Sequence, residues 1–364
     1  MQKRKKGMLV LKDGTKYEAL CFGAIVSTSG EVVFNTSMTG YPESITDPSY
    51  KGQILVYTYP IIGNYGVPPF SYGNETISEF YESDRIQISG LIISYYSKRP
   101  YHWNMYQSLS NWLYKNRIPG LYGVDTRFIA RKLRENGGAL LGKILMENEN
   151  IPFYDPNKDI LSEKVSVKEK KTYGNGIYKI LLLDFGLKNN ILRCLLHRNC
   201  TIVRVPWNYN FTEEKYDGIL ISNGPGNPEI YDKPIHYLRK AMNKDIPIFG
   251  ICLGNQLLGI AAGGSTRKLQ YAHRSHNQPV ISLKTGKSYI TSQNHGYVLD
   301  TSNLYKDWKV FFRNLNDDTC EGIIHDYKPF FSVQFHPEAT SGPTDTEFLF
   351  DIFINSVIKK KMIG

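Results

Sequence analysis

Apolar and polar positions follow one rhythm in residues 1–150 and another after residue 176. In the first stretch, short runs rich in β-branched and aromatic residues are cut by Gly, Pro, Asn and Asp, as in "EVVFNTSMTGYPESITDPSYKGQILVYTYPIIGNYG". Such runs predict strands separated by turns. "LVLKDGT" and "RIQISGLIISYYS" read the same way. Two pieces read as helices, "WNMYQSLSNWLYKN" and "DTRFIARKLRENGG"; in the second, Asp125 caps the start and Gly137 stops the end. The first region is mixed α and β, with strands dominant.

Residues 151–176, "IPFYDPNKDILSEKVSVKEKKTYGNG", are polar, charged and punctuated by Gly and Pro, with no sustained period. They predict a linker between a domain at 1–150 and one at 177–364. Beyond it the strand "YKILLLDFG", the helix "LKNNILRCLLHRN" and the strand "CTIVRVP" follow in order. Next come "YDGILISNGPGNP", a strand ending in a Gly-rich turn, the helix "YDKPIHYLRKAMNK" and the strand "IPIFGI". This alternation implies right-handed βαβ units and a parallel sheet covered on both faces. Sites in such sheets form beyond the carboxyl ends of the strands.

With 364 residues, 41% hydrophobic and 21% charged, the chain suits two cored domains and neither disorder nor a fibrous repeat. No apolar run approaches the ~20 residues of a membrane helix. The start "MQKRKKGMLV" lacks the apolar core of a secretory signal, so a soluble, non-secreted protein is expected. Five scattered cysteines without a CxxC pair argue against a zinc knuckle or a disulfide scaffold, and no metal site is expected. The formal charge of +10 invites a nucleic-acid reading, but much of the excess sits in "KRKK", "KVSVKEKK" and "VIKKKMIG". These read as solvated tails and a charged linker, so neither a nucleic acid nor a membrane is expected as a partner. The abundance of Lys, Asn, Ile and Tyr hints at an AT-rich genome, which points to a plastid stroma, with a bacterial cytoplasm as the alternative.

Candidate chemistry centres on "FGICLGNQLLG", where Gly250-Ile251-Cys252-Leu253-Gly254 forms G-x-C-x-G between a strand and a helix. Cys252 is either a packed thiol or a nucleophile on a sharp turn. The turn lifts the sulfur off the sheet, the helix start favours its anion, and the Leu253 amide can face a developing oxyanion. "FSVQFHPEAT" supplies a base: His336 follows an apolar strand, and Glu338 can face the same side and orient the ring. "SNGPGNP" is a turn by default, yet the amides of Gly224 and Gly226 can complete an oxyanion hole or hold a substrate.

In that order, "NGPGNP", "FGICLGNQ" and "VQFHPEA" resemble the class I, triad-type glutamine amidotransferases. The resemblance implies hydrolysis of the glutamine side-chain amide through a γ-glutamyl thioester, with the ammonia passed to a second site. It makes Cys252 the nucleophile, His336 the base and Glu338 its orienter. Leu253 and Gly224 would supply oxyanion amides, and Gln256 and Gly226 would line the glutamine pocket. In "SQNHGYVLD", Asn294, Gly296 and Tyr297 would touch the glutamine.

The long N-terminal stretch quoted above, with "GVDTRFIARKLRENGGALLGKI", resembles the small subunit of carbamoyl-phosphate synthetase. That family adds Ser49, in "DPSY", as a glutamine contact from the other domain. The fold implied is α/β: a C-terminal amidotransferase domain with a mostly parallel sheet flanked by helices, plus a strand-rich mixed N-terminal domain. The partner implied is a large subunit that binds ATP and Mg and makes carbamoyl phosphate from bicarbonate, for arginine and pyrimidine synthesis. No cofactor is implied on this chain. Asn255 stands where the family often has His, and Ala272 and Ser275 where glycines are common. Two other classes remain open: a stand-alone cysteine hydrolase of γ-glutamyl compounds, and an inactive scaffold of the same fold.

Overall fold

The computed structural model describes residues 5–72, 77–146 and 149–363, so the first residues of the basic start and Gly364 lie outside it. The chain divides into two compact units, one running to Asp159 with Leu269–Arg274 added, the other Ile160–Lys268 with the residues from Ser275 on.

The first unit is a closed barrel of seven strands: β1 (Lys6–Leu11), β2 (Lys16–Gly23), β3 (Thr28–Asn35), β4 (Gln53–Tyr57), β5 (Gly90–Ile93), β6 (Pro119–Tyr122) and β7 (Leu140–Met146). A parallel run β3-β4-β5-β6 is closed by the antiparallel pairs β6-β2, β2-β1, β1-β7 and β7-β3. Three helices accompany it, α1 (Tyr41–Thr46), α2 (Leu109–Lys115) and α3 (Thr126–Glu135). Asp125 caps α3 as its position predicts, accepting from the Phe128 amide at 2.9 Å. Ile129, Ala130 and Leu133 then form the buried face of α3. The helix expected from Trp103 begins only at Leu109. Val67 takes the intervening backbone instead, with Tyr106 N donating to Val67 O and Val67 N to Gln107 O, both at 2.9 Å. Ser108 then caps the shorter helix at the Asn111 amide.

The second unit is built on a ten-stranded sheet. Its strands are β8 (Lys171–Tyr173), β9 (Tyr178–Asp184), β10 (Cys200–Pro206), β11 (Gly218–Ile221), β12 (Ile248–Ile251), β13 (Ser265–Ser282), β14 (Ser288–Asp300), β15 (Trp308–Asn314), β16 (Cys320–His325) and β17 (Phe330–Val333). The order is β14-β13-β15-β16-β17-β12-β11-β9-β10-β8. The five strands β10-β9-β11-β12-β17 are mutually parallel, the expected βαβ core. Antiparallel strands extend it on both sides: β16 and β15 beyond β17, and β8 beyond β10. The helices are α4 (Ser162–Val165), α5 (Asn189–Leu196), α6 (Asp232–Ala241), α7 (Leu253–Ala261) and α8 (Phe348–Ile363).

Two charged segments take on structure that their composition hides. Residues 151–176, expected as a linker, hold α4 and β8. The lysines of "VIKKKMIG" ride on the last turns of α8, where Lys361 Nζ donates to Ile177 O at 2.8 Å and to Asp217 Oδ2 at 2.9 Å.

Helix α7 is buried on nearly every side, unlike a surface helix with one apolar stripe. It lies so close to β11 that a Cβ on Gly254 would stand 2.2 Å from the Ile221 carbonyl oxygen. Neither backbone can yield without breaking sheet or helix bonds. Gly254→Ala is therefore expected to cost about 3 kcal/mol of stability, the upper range for overpacking. Equilibrium denaturation would read this as a lower midpoint; an unchanged midpoint would mean that the helix moves freely against the sheet.

Candidate active site

Four adjacent parallel strands deliver the site. β9, β11, β12 and β17 end on the same side of the sheet, and their carboxyl ends lead into Lys188, Asn223-Gly224, Cys252 and the stretch Gln334–Glu338. The chain steps from β9 outward to β10, then returns to β11 on the other side of β9. Loops leaving a sheet in opposite directions at such a point open a crevice.

Cys252 joins β12 directly to α7 with no intervening loop. Its φ of 53° and ψ of −103° are strained for a residue with a side chain. A Cβ on Gly250 would meet the Gly254 carbonyl oxygen at 2.5 Å, so the turn tightens only with glycine there. The Cys252 amide donates to Val333 O at 2.9 Å, which ties the elbow to β17. Leu253 opens the helix, where amides have no intrahelical acceptor and the dipole favours negative charge.

The His336 ring meets Glu338 at Nδ1, 2.7 Å from Oε1. The carboxylate fixes the proton on Nδ1, and Nε2 has no hydrogen-bond partner of its own. The His336 amide donates to Ser292 O at 2.9 Å, which holds the loop after β17 against β14. Burial would push the pKa of the ring down; the Glu338 carboxylate, and then the Cys252 sulfur, outweigh it and lift the ring to about 10.

Glu338 is itself fully enclosed, and burial would raise its pKa. The Lys188 ammonium and then His336 hold it down at about 2. Lys188 Nζ stands 3.1 Å from Oε1 and also donates to Ala339 O at 2.6 Å. The Lys188 amide donates to Asn223 Oδ1 at 3.1 Å, and Asn190 Nδ2 donates to the Glu338 carbonyl. His276, pushed down to about 4 by burial and then by the charges on Lys188 and His336, stays neutral nearby. The arrangement can move a proton from sulfur to the ring, and can hold anionic charge at a helix start.

Comparison with known proteins gives the site a lineage. Residues 9–144 match the family model "Carbamoyl-phosphate synthase small chain, CPSase domain", and residues 181–356 match "Glutamine amidotransferase class-I". This chain joins a carbamoyl-phosphate synthase small-chain domain to a class I glutamine amidotransferase domain. It is 48% identical over 359 residues to "Carbamoyl-phosphate synthase [ammonia], mitochondrial" of Aquarana catesbeiana, covering 97% of this chain and 24% of that protein. The human protein of the same name is 49% identical over 356 residues, with the same coverage. "Multifunctional protein URA2" of Saccharomyces cerevisiae is 46% identical over 385 residues, covering 96% of this chain and 17% of that protein. The chain thus spans a quarter or less of the length of these relatives.

Within the amidotransferase domain, the residues expected to act together do meet. Cys252, His336 and Glu338 are all buried, the His336 ring lying against Glu338 and feeling the Cys252 sulfur, and Leu253 begins the helix that follows Cys252. Gly224 and Gly226 lie in the loop after β11. Asn294 O is 4.0 Å from the sulfur, and Asn294 Nδ2 is buried without a partner, a donor free for a ligand. Gly296 and Tyr297 follow on β14, half-buried. Gln256, expected to line the pocket, turns its amide inward and donates to Tyr297 O at 3.0 Å. Ser49 lies in the small-chain domain, in a single 3-10 turn with its amide on Asp47 Oδ1 at 2.8 Å.

Pattern reading passed over Lys188, Asn190 and Gln334. A signal for Lys188 exists: it sits four residues past the end of the buried strand in "LLLDFGLK", where parallel sheets place their sites. Asn190 and Gln334 carry no signal beyond lying near such ends.

These charges make a titration prediction. A ring raised from the ordinary 6.5 to about 10 stays protonated through neutrality, and the stability it contributes is complete below pH 6.5 and lost as pH rises through 10. In Glu338→Gln, burial dominates, and the ring should titrate below its ordinary value. Histidine-labelled NMR, with His336→Asn to assign the signal, should show His336 fixed between pH 6 and 8 in the unchanged chain and already neutral at pH 7 in Glu338→Gln. A ring titrating near 6.5 in both chains would refute the electrostatic account.

Proposed function

We propose that this chain is the glutamine-hydrolysing component of a carbamoyl-phosphate synthetase. One observation carries the reading: an enclosed thiol on a strained strand-to-helix turn lies beside a histidine whose other nitrogen is 2.7 Å from a buried carboxylate. His336 takes the thiol proton and Cys252 attacks the amide carbon of glutamine. The oxyanion is held by the amides of Leu253 and Gly224, with Gln256, Gly226, Asn294, Gly296 and Tyr297 placing the substrate and Ser49 contributing from the small-chain domain. Collapse of the adduct breaks the C–N bond, and the proton on His336 leaves with the nitrogen as ammonia. Water, deprotonated by the same ring, then cleaves the thioester to glutamate.

The ammonia passes to a large subunit, or to a fused remainder such as the rest of the longer relatives. There ATP, with Mg, and bicarbonate yield carbamoyl phosphate for arginine and pyrimidine synthesis. No cofactor is assigned to this chain. The composition supports a plastid stroma, with a bacterial cytoplasm as the alternative. Among the described residues, no helix is long and apolar enough to cross a membrane. A second reading follows from the word "ammonia" in the names of the frog and human relatives: the synthetase draws on free ammonia and Cys252 is idle.

Glutamate release separates the two. The purified chain should hydrolyse glutamine slowly alone and faster with a carbamoyl-phosphate synthetase large subunit, ATP and bicarbonate. Cys252→Ser should lose at least 100-fold in both conditions, in line with removal of a nucleophile. Equal turnover with and without the partner would favour a stand-alone hydrolase. No release in either condition, with synthesis supported by ammonium salts, would establish the idle-thiol reading.

A further inference from the structure

Resting on the assignment of Cys252 as nucleophile, we propose that the Gln334 side-chain amide is a dedicated hydrogen-bond donor to the Cys252 sulfur, oriented by a buried relay through Asn255 and Ser332. Gln334 Nε2 lies 3.7 Å from Sγ, within hydrogen-bond reach of an atom as large as sulfur. Its backbone is held by donation of the Gln334 amide to Glu321 O at 2.8 Å. Ser332, Asn255 and Gln334 are all fully buried, so protein atoms must satisfy their polar groups.

Which end of the Gln334 amide faces the sulfur follows from the bonding pattern. Ser332 Oγ lies 2.8 Å from Asn255 Oδ1, a pairing in which only the hydroxyl can donate. Asn255 therefore presents Nδ2 to Gln334 Oε1, at 3.1 Å. Gln256, whose Nε2 is fixed by the Tyr297 carbonyl, gives the same oxygen a second donor at 3.1 Å. Two donors on Oε1 leave Nε2 no direction but the sulfur. The relay carries no titratable group, so its direction does not change with pH. Among the described residues, His336 faces the sulfur, with Glu338 and Lys188 behind it, and the neutral His276 feels Lys188 and His336.

The donor matters at two moments. When His336 removes the thiol proton, the new charge on sulfur meets an N–H that is already aimed. When water attacks the thioester, the electron pair of the breaking C–S bond returns to sulfur, and the same N–H receives it. A neutral donor serves both steps without a charge that would hold the sulfur back from attack.

The test is the rate at which iodoacetamide alkylates Cys252, followed across pH by mass spectrometry of that residue, beside glutamate release. Gln334→Met keeps the volume and removes the donor. It should slow alkylation about tenfold at pH 7 and move the profile to alkaline pH, while keeping the limiting rate at high pH. Asn255→Asp replaces a donor by an oxygen, turns the Gln334 amide around and should shift the profile in the same direction. Should Gln334→Met fail to fold, Asn255→Asp carries the test alone. Profiles that match the unchanged chain in the folded variants would overturn the proposal. Alkylation needs no glutamine, so the two readings fail separately. A shifted profile in a chain that releases no glutamate keeps the donor and discards the glutaminase. Glutamate release with an unmoved profile does the reverse.

Discussion

A carboxylate shut away from water cannot stand alone, and the carboxyl ends of the strands in the amidotransferase domain are organised around that constraint. Glu338 keeps its charge because Lys188 and His336 both approach Oε1, one from beyond β9 and one from beyond β17. Those strands are separated in the sheet by β11 and β12, so their parallel register sets the distance between the two cations. Leaving a buried charge without its partner typically costs on the order of 3–5 kcal/mol. The His336 ring is thereby fixed through Nδ1, and it cannot turn away from the Cys252 sulfur without leaving that carboxylate.

The elbow meets a second constraint, strain, by the same means. A cysteine at positive φ persists only where its surroundings over-determine it. Here β12 pairs with β17 up to Ile251 and Val333, the Cys252 amide bonds to Val333 O, and α7 is buried against β11. Cys252 and His336 therefore sit just beyond the ends of paired neighbours in one sheet. Motion that separates them has to break that pairing.

Much of this was legible in the chain. The parallel core declared itself through apolar runs such as "LLLD" and "IFGI", and Cys252 and His336 stood out as chemistry-bearing residue types at strand ends. Strands β13 and β14 were not legible, because their buried positions are often polar. Thr291, Ser292, Gln293 and His295 on β14 are all buried, so no hydrophobic alternation marks the strand. The Trp103 helix failed for the opposite reason: its pattern was adequate, but backbone bonds to Val67 took its first turns. Lys188 and Gln334 escaped notice because their roles depend on partners distant in sequence, Glu338 and Cys252, that only the sheet order brings near.

Strand β8 has a consequence for how this chain can be divided. It covers one border of the sheet, pairing antiparallel with β10 from Ile202 to Arg204. The residues before it are stitched down as well: the Val167 amide donates to Asp184 Oδ2 at 2.8 Å, and Ser166 Oγ accepts from the Trp207 amide at 3.1 Å. An amidotransferase fragment trimmed to the start of β9 would bare the unpaired amides and carbonyls of β10, a template for adding strands from other molecules. Self-association of such a fragment would then reflect the scissors rather than the protein. A cut ahead of Ile160 keeps that border sealed.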